Sequence, residues 1–291
     1  MDQHRSQLPV TTLCKVTGVS TSAYYRWLKT PISKRQLNDN QLDKAIVTIF
    51  NENKARYGAT RVYRTLQDQG WKVTEERVSR RMKWMGLVSK AARRYKVTTD
   101  SDHNKNVNDN LLQQDFNAKK PNKTWVTDIS YIPTDEGWIY LCVVIDLYSR
   151  AVIGWSMDKR MKAKLACDAL EMALFRRHFP TGTIVHSDKG SQYCSSDFQN
   201  LLRKHTLVSS MSGKGCCYDN AACESFFGTL KVELVHDESY KTRAEAKTSI
   251  FSYIEAYYNT KRKHSTINYM TPKQFEDSME SENQKCPKLT G

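Results

Sequence analysis

The sequence lacks the features that would place the protein in a membrane, in a secretory pathway or among zinc-finger proteins. No apolar run approaches the roughly 20 residues that a membrane-spanning helix needs, and the polar N-terminus has no signal-peptide core. The eight cysteines include no C-x-x-C pair, and none of the seven histidines lies near them at a zinc-finger spacing. We therefore expect a cytoplasmic protein with free thiols and no membrane partner.

Acidic residues are scarce in the first third of the chain. The formal net charge is +14, and it divides into +12 for residues 1–100 and +2 for the remainder. A basic front part on a nearly neutral back part favours a region that contacts the phosphates of nucleic acid. A solvated basic surface is the alternative.

Two helix-turn-helix patterns occur in this basic part. Residues 8–30 predict two short helices, with Ser20 as the N-cap of the second. In residues 38–95, a first helix is predicted roughly from Asp39 to Asn53, and a third helix starts at Thr74 and ends at Gly86. Its apolar positions repeat at helical spacing, and its other faces carry the residues that we predict to contact DNA, Arg77, Arg80, Arg81 and Lys83. A solvated amphipathic helix is the alternative reading.

The pattern changes to alternating strands and helices from Thr124 onwards. Three strand-like segments with hairpin-length connections come first, and helices then alternate with short strands. This order predicts a mixed α/β sheet. The predicted domains are a helix-turn-helix-like segment (1–35), a helix-turn-helix DNA-binding domain (36–97), a linker (98–123), a catalytic core with a C-terminal helical extension (124–278) and a flexible tail (279–291).

Three acids stand at positions suited to metal chemistry. Asp128 lies within the first strand, Asp188 lies just past the short strand at 183–186, and Glu224 lies near the start of a long helix. A helix packed across neighbouring strands can bring all three together, and converged carboxylates repel unless they share cations. Oxygen ligands favour Mg²⁺ or Mn²⁺.

Several ordered motifs carry a family resemblance. The segments are TWVTDISY at 124–131, HSDKGSQY at 186–193, DNAACESFFGTLK at 219–231, and Tyr258-Asn259, Arg262, His264-Ser265, Tyr269, Thr271-Pro272 and Phe275 near the C-terminus. Together with the 35 residues between Asp188 and Glu224, they resemble the DDE integrase core, and more narrowly the second-reading-frame transposases of the IS3 family of bacterial insertion sequences.

The resemblance implies a ribonuclease-H-like core with a mixed five-stranded sheet behind all-α helix-turn-helix domains. It implies a DDE-type DNA transposase that binds the ends of an insertion sequence and catalyses metal-dependent strand cleavage and strand transfer. Two Mg²⁺ or Mn²⁺ ions are expected, with Asp128 on both and Asp188 and Glu224 on one each. Lys231, seven residues after Glu224, would hold a phosphate of the element end.

The expected partners also follow from the resemblance. They are double-stranded DNA of the element ends and target, further copies of the chain on DNA, and the product of an upstream reading frame, which in this family usually supplies a coiled coil. The expected location is the bacterial cytoplasm, in association with the nucleoid.

Some assignments stay open at the level of sequence. Asp146 could support the site, although a structural role is favoured, and Asp219 or Asn220 would cap the Glu224 helix. Arg262 and His264 could contact DNA. A catalytically inactive repressor and a nuclease for RNA–DNA hybrids are alternative functions. The intact acids argue against the first, and the two upstream helix-turn-helix patterns argue against the second.

Overall fold

The structure is a computed structural model that describes residues 5–30, 32–92, 118, 120–212 and 220–285, with side chains through residue 279. The chain divides into two compact units, Met1–Ser89 and Lys90–Gly291. Most of the predicted linker (98–123), residues 213–219 and the last six residues of the predicted tail lie outside the described residues.

The first unit is all-helical in its described part. Its helices are α1 (Val10–Thr17), α2 (Thr21–Lys29), α3 (Lys34–Glu52), α4 (Ala59–Asp68) and α5 (Glu75–Trp84). Ser20 caps α2 as expected, because its hydroxyl accepts the Ala23 N–H at 3.1 Å. The apolar faces of α3, α4 and α5 form the core, which contains Leu42, Ile46, Ile49, Val62, Leu66, Val78 and Met82.

The boundary predicted after residue 35 falls inside α3. This helix begins at Lys34 because Ser33 caps it, with the Ser33 hydroxyl accepting the Gln36 N–H at 3.1 Å. The residues between the cap and Asp39, where we expected the helix to start, continue the helical turns. The two predicted N-terminal segments therefore share one helix and belong to one compact unit.

A mixed five-stranded sheet forms the centre of the second unit, as expected. Its strand order is β3-β2-β1-β4-β5. The first three strands are antiparallel, whereas β4 and β5 run parallel to β1. The strands are β1 (Thr124–Ile132), β2 (Ile139–Asp146), β3 (Val152–Asp158), β4 (Ile184–Ser187) and β5 (Val208–Met211).

Helices alternate with the last strands of this sheet and then follow it along the chain. They are α6 (Ala163–Arg176), α7 (Ser196–Lys204), α8 (Ala221–Glu233), α9 (Arg243–Tyr253) with a π-helical turn (Ile254–Tyr258), and α10 (Pro272–Lys285). The buried faces of α6 and α7 pack with sheet residues such as Trp125 and Val144 in one apolar core. Gly154 of β3 permits a close approach to α6, because a Cβ there would lie 2.2 Å from the carbonyl oxygen of Ala169.

The last helix extends into the segment that we predicted as a flexible tail from residue 279. A capping box starts α10, in which Thr271 and Gln274 bind each other's backbone N–H groups at 3.1 Å. The residues after Met279 include glutamates, a glutamine and a lysine, which are good helix formers, so the helix continues through Lys285 although this last part contains no apolar residue.

Candidate active site

Asp128 lies in β1, the central strand of the sheet. Antiparallel β2 flanks β1 on one side, with Asp128 opposite Val143, and parallel β4 flanks it on the other. The carboxylate is partly buried, and its Oδ1 accepts the Ile129 N–H at 2.8 Å. Asp128 thus lies on the central strand, two residues past the last residue of β1 that pairs with β4.

Asp188 directly follows the last residue of β4, which runs parallel to β1. Val126 and His186 are partners in the β1–β4 register, and each is followed two residues later by one of the acids, Asp128 and Asp188. Asp188 Oδ1 accepts the Gly190 N–H at 2.9 Å. A Cβ at Gly190 would lie 2.8 Å from this oxygen, so a side chain at this position would displace the carboxylate.

Buried His186 fixes the strand end from which Asp188 projects. Its Nδ1 lies 2.9 Å from the Ser210 hydroxyl, and its Nε2 lies 3.2 Å from the Ser212 hydroxyl. These contacts join β4 to β5 and to the residue after it. His186 is the last residue but one of β4.

Glu224 lies in the first turn of α8 and is exposed. Asn220 occupies the N-cap position of this helix, but its side chain makes no capping hydrogen bond. Its Nδ2 instead donates to the carbonyl oxygen of Thr127 at 3.3 Å, which fastens the start of α8 to β1 beside Asp128. Asp219, the other expected cap, lies outside the described residues.

The charges of two of the three acids act on the third, Asp128. The pKa of Asp128 is raised to about 7, first by burial and then by the negative charges of Asp188 and Glu224, whereas the charge of Lys231 lowers it. Within the described residues, no group of three His, Cys, Asp or Glu side chains is arranged to hold a metal ion. The donor chemistry nevertheless fits a hard divalent cation, because three carboxylates supply only oxygen ligands and repel one another without positive charge.

Lys231 lies two turns along α8 from Glu224. Its Nζ is 5.4 Å from the centroid of the Tyr131 ring, and its charge also acts on Asp128. The lysine is partly buried. This position puts one positive charge beside the candidate acids.

The four basic residues predicted to contact DNA from α5 fall into two pairs. Arg77 and Arg81 bind carboxylates of α3: Arg77 Nη2 lies 2.7 Å from Asp39, and Arg81 Nε lies 2.7 Å from Asp43. Arg80 and Lys83 are exposed on the same helix. The sequence could not show this division, because both acids precede their arginines by 38 residues.

Two residues that we considered as DNA contacts are buried instead. Arg262 forms an ion pair with Glu233 at 3.0 Å, and both side chains are nearly inaccessible to solvent. His264 lies beside the same guanidinium, with its Nε2 3.2 Å from Arg262 Nη1. Both residues therefore serve the packing of the C-terminal segment.

Asp146 also has a structural place. Its carboxylate is completely buried and accepts the N–H groups of Asn122 and Tyr148, each at 3.0 Å. Burial raises its pKa, while these N–H groups and the charge of Arg177 oppose that rise. The acid closes the loop around the end of β2.

Sequence reasoning missed Tyr193 and the role of Asn220. The buried Tyr193 hydroxyl lies 3.2 Å from the hydroxyl of Thr127, the residue that precedes Asp128 in the chain. The motifs contained both residues, since Tyr193 ends HSDKGSQY and Asn220 precedes Glu224 by four positions. Only the packing of the strands and helices shows what they contact.

Comparisons with known proteins agree with this architecture. The integrase core domain family matches residues 118–217, a second integrase core domain family matches residues 224–279, and an HTH-like domain family matches residues 37–95. "Transposase InsF for insertion sequence IS3A" of Escherichia coli (strain K12) is 46% identical over 279 residues, which cover 95% of this chain and 97% of that protein. "Transposase for insertion sequence element IS904" of Lactococcus lactis subsp. lactis (strain IL1403) is 47% identical over 245 residues, which cover 84% and 96%.

Solved structures of viral integrases are similar at a lower level. A simian T-cell lymphotropic virus intasome chain has a TM-score of 0.46 at 17% identity, with 85% of this chain and 76% of that chain covered. The catalytic core domain of HTLV-2 integrase, solved with magnesium, has a TM-score of 0.40 at 18% identity, with 53% and 96% covered.

The mixed five-stranded sheet and the two integrase core matches define a DDE-type polynucleotidyl transferase, a class that works with divalent metal. Within this class, the chain belongs to the IS3 family of insertion-sequence transposases. Its activity is metal-dependent cleavage and strand transfer of DNA during transposition, as the motifs implied.

Among the described residues, no helix is long and apolar enough to cross a membrane.

Proposed function

We propose that Asp128, Asp188 and Glu224 are the catalytic carboxylates of this transposase and that they hold two Mg²⁺ or Mn²⁺ ions. The observation that supports the proposal best is electrostatic: the charges of Asp188 and Glu224 both raise the pKa of Asp128. Acids that interact in this way across β1, β4 and α8 are a natural site for shared cations.

The protein's own residues would position the reaction. When bound, divalent metal supplies charge stabilisation and an activated oxygen nucleophile for in-line displacement at phosphorus. The Ile129 and Gly190 N–H groups orient the carboxylates of Asp128 and Asp188. Lys231 would hold a phosphate of the element end beside them. A water or a DNA 3′-hydroxyl is the nucleophile, so no protein side chain needs to form a covalent bond.

DNA recognition would come from the first unit. Arg80 and Lys83 project from α5 into solvent, where they can reach phosphates. The ion pairs of Arg77 and Arg81 with α3 hold α5 in the orientation that presents these residues. We assign DNA binding to residues 1–97 and catalysis to residues 124–278. The helix-turn-helix of α4 and α5 would recognise the DNA sequence.

The assembly follows from the reaction. Joining two element ends to a target needs more than one active site on DNA, so the chain would act as a homo-oligomer on double-stranded DNA. The product of an upstream reading frame would supply a further contact between subunits. Because its substrates are element and target DNA, the protein would work in the bacterial cytoplasm, in association with the nucleoid.

Substitution of each acid tests the catalytic assignment. Asp128→Asn, Asp188→Asn and Glu224→Gln should each abolish cleavage and joining of labelled element-end DNA with Mg²⁺, while the shift of the same DNA in a gel stays unchanged. The matched control is Glu171→Gln, which neutralises an exposed acid on α6 and should leave joining intact. Substantial joining by any of the three site variants would refute the assignment.

A further inference from the structure

Two large aromatic side chains stand in solvent close to the candidate acids. Tyr131 lies near the end of β1, and Trp138 directly precedes β2. Their rings meet edge to face, with centroids 4.9 Å apart and planes at 80°. The two side chains are 44% and 49% exposed. Paired exposed aromatic rings of this size are typical of a binding surface.

Lys231 connects this aromatic pair to the acids. Its Nζ is 5.4 Å from the Tyr131 ring centroid, and its charge acts on Asp128. Tyr131 follows Asp128 by three residues in the same strand, about 10 Å along the backbone, and strand alternation turns the two side chains to opposite faces of the sheet. Lys231 is therefore the residue that links them. A DNA strand whose phosphate is bound at Lys231 would therefore pass the aromatic pair within one or two nucleotides of the acids.

The loop that carries Trp138 is fixed by contacts from α9. The Arg243 guanidinium donates to the carbonyl oxygen of Trp138 at 3.1 Å and to that of Glu136. The Arg243 backbone N–H donates to the Glu136 carboxylate at 3.0 Å. Because the loop is held at both residues, the indole is presented in a set position before any ligand arrives.

We propose that Tyr131 and Trp138 form a stacking platform for one unpaired nucleobase of the element end, next to the reacting phosphate. This inference rests on the proposed function. A base offers a π-face to either ring, and the phosphate attached to it carries the charge that complements Lys231. A paired base stays within its duplex, so occupation of the platform requires a base that leaves the stack. The platform would thereby hold the frayed end while the acids act on the phosphate.

Photocross-linking tests the contact without any need for catalysis. The full chain with Glu224→Gln is bound to element-end duplexes that carry 5-iodouracil at single positions within three nucleotides of the reacting phosphate. We expect cross-links at one or two of these positions, mapped by mass spectrometry to Tyr131 or Trp138. Cross-links only to residues outside the pair, or none, would overturn the proposal.

Affinity for open and closed ends supplies the second measurement. The chain should bind an end with three unpaired nucleotides about five- to a hundredfold more tightly than the blunt end. Tyr131→Ala and Trp138→Ala should lose most of this preference, whereas Tyr131→Phe and Trp138→Phe should keep it. The matched control is Phe251→Ala, because Phe251 is 50% exposed and also meets a tryptophan edge to face.

The outcomes separate the platform from the catalytic assignment. If the platform is wrong, both alanine variants keep the preference for open ends, while the three acid substitutions still abolish joining. If the catalytic assignment is wrong, joining survives those substitutions while the cross-links to the aromatic pair remain. A change in the mass of the protein–DNA complex in the alanine variants, with the preference for open ends retained, would show a subunit interface and overturn the proposal.

Discussion

Asp128 is held in a position that is unfavourable for a carboxylate by itself. The strand partly buries it, and two further acids contribute negative charge, so its pKa rises to about 7 from an ordinary value of 3.8. The unfolded chain has no such environment, and its Asp128 ionises near the ordinary value. Between about pH 4 and pH 7 the folded state therefore binds a proton that the unfolded state has lost, and the metal-free fold loses stability as the pH rises through this window.

Asp128→Asn should consequently stabilise the metal-free protein. The ordinary relation of 1.36 kcal/mol per pKa unit sets an upper value of about 4 kcal/mol above pH 7. Thermal unfolding should show a higher Tm for the variant at pH 8, and the difference should shrink towards pH 4. Mg²⁺ should raise the Tm of the wild-type protein and leave that of the variant almost unchanged. An equal rise in both proteins would contradict a metal-binding role for Asp128.

Gly190 sets the position of the second acid. A methyl group at this residue would lie 2.8 Å from the Asp188 carboxylate and 3.1 Å from Gln192 Oε1, so Gly190→Ala should push the carboxylate out of place. We expect joining to fall by at least about tenfold, roughly 1.4 kcal/mol, with little change in Tm.

Gly228→Ala is the matched control for this substitution. Gly228 lies on α8, the same helix as Glu224, and a Cβ there would meet no atom within 4 Å. Alanine is the better helix former by about 1 kcal/mol, so this variant should unfold at a slightly higher temperature and keep its joining rate. Equal joining by both glycine variants would show that the Gly190 turn does not position Asp188.

At the scale of elements, a buried ion pair fastens the end of α8 to the C-terminal segment. Arg262 Nε donates to both oxygens of Glu233, at 3.0 and 3.1 Å, and the Tyr253 hydroxyl donates to Glu233 Oε2 at 2.9 Å. Lys90 adds a hydrogen bond to the backbone of the same residue, since its Nζ donates to the Glu233 carbonyl oxygen at 3.2 Å. The C-terminal motif therefore supports the helix that carries Glu224.

Arg262→Met should destabilise the second unit strongly. The substitution leaves the buried Glu233 carboxylate without its guanidinium, which typically costs about 3–5 kcal/mol. Urea unfolding should show the loss, and the double variant Glu233→Gln, Arg262→Met should recover part of it because the buried charge is gone. Asp168→Ala, which breaks the exposed pair with Lys164, should change stability by less than about 1 kcal/mol. Comparable losses for both pairs would contradict this account.

Local signals account for most of what the sequence could predict of the elements. Thr74 caps α5, since its hydroxyl accepts the Arg77 N–H at 3.3 Å, and Gly86 follows the helix with a positive φ of 67°; both were expected. The start of α3 was placed too late, because the cap at Ser33 lies in a polar stretch without apolar periodicity.

Long-range contacts could not be predicted in the same way. The motifs placed the three acids on their strands and helix, but the bond from Asn220 to the carbonyl oxygen of Thr127 joins residues 93 positions apart. The ion pairs that tie Arg77 and Arg81 to α3 are equally invisible in a helical wheel of α5 alone. Such contacts depend on how whole elements pack, and no residue pattern within one element encodes them.

At the scale of the whole molecule, the distribution of positive charge along the chain matches the division into two compact units. The surplus of positive charge falls in residues 1–100, and residues 1–89 form a compact unit with its own apolar core. A unit with its own core can fold apart from the rest of the chain. Electrostatic contacts with DNA should therefore belong mainly to this unit, while the acids of the second unit perform the chemistry.

A fragment of residues 1–97 should then bind element-end DNA with a steep salt dependence. Each phosphate contact contributes about 0.9 to the slope of log affinity against log salt concentration. Replacing Arg80 and Lys83 together by alanine should lower this slope by about 2, whereas Lys44→Ala, which removes an exposed lysine of α3, should change it by less than about 1. Thermal unfolding checks that each fragment is folded.

Because residues 98–291 carry almost no net charge, they should bind the same DNA weakly by themselves. Binding by that fragment as tight and as specific as that of residues 1–97 would mean that end recognition lies in the catalytic unit, and the slope of the double variant would then stay unchanged.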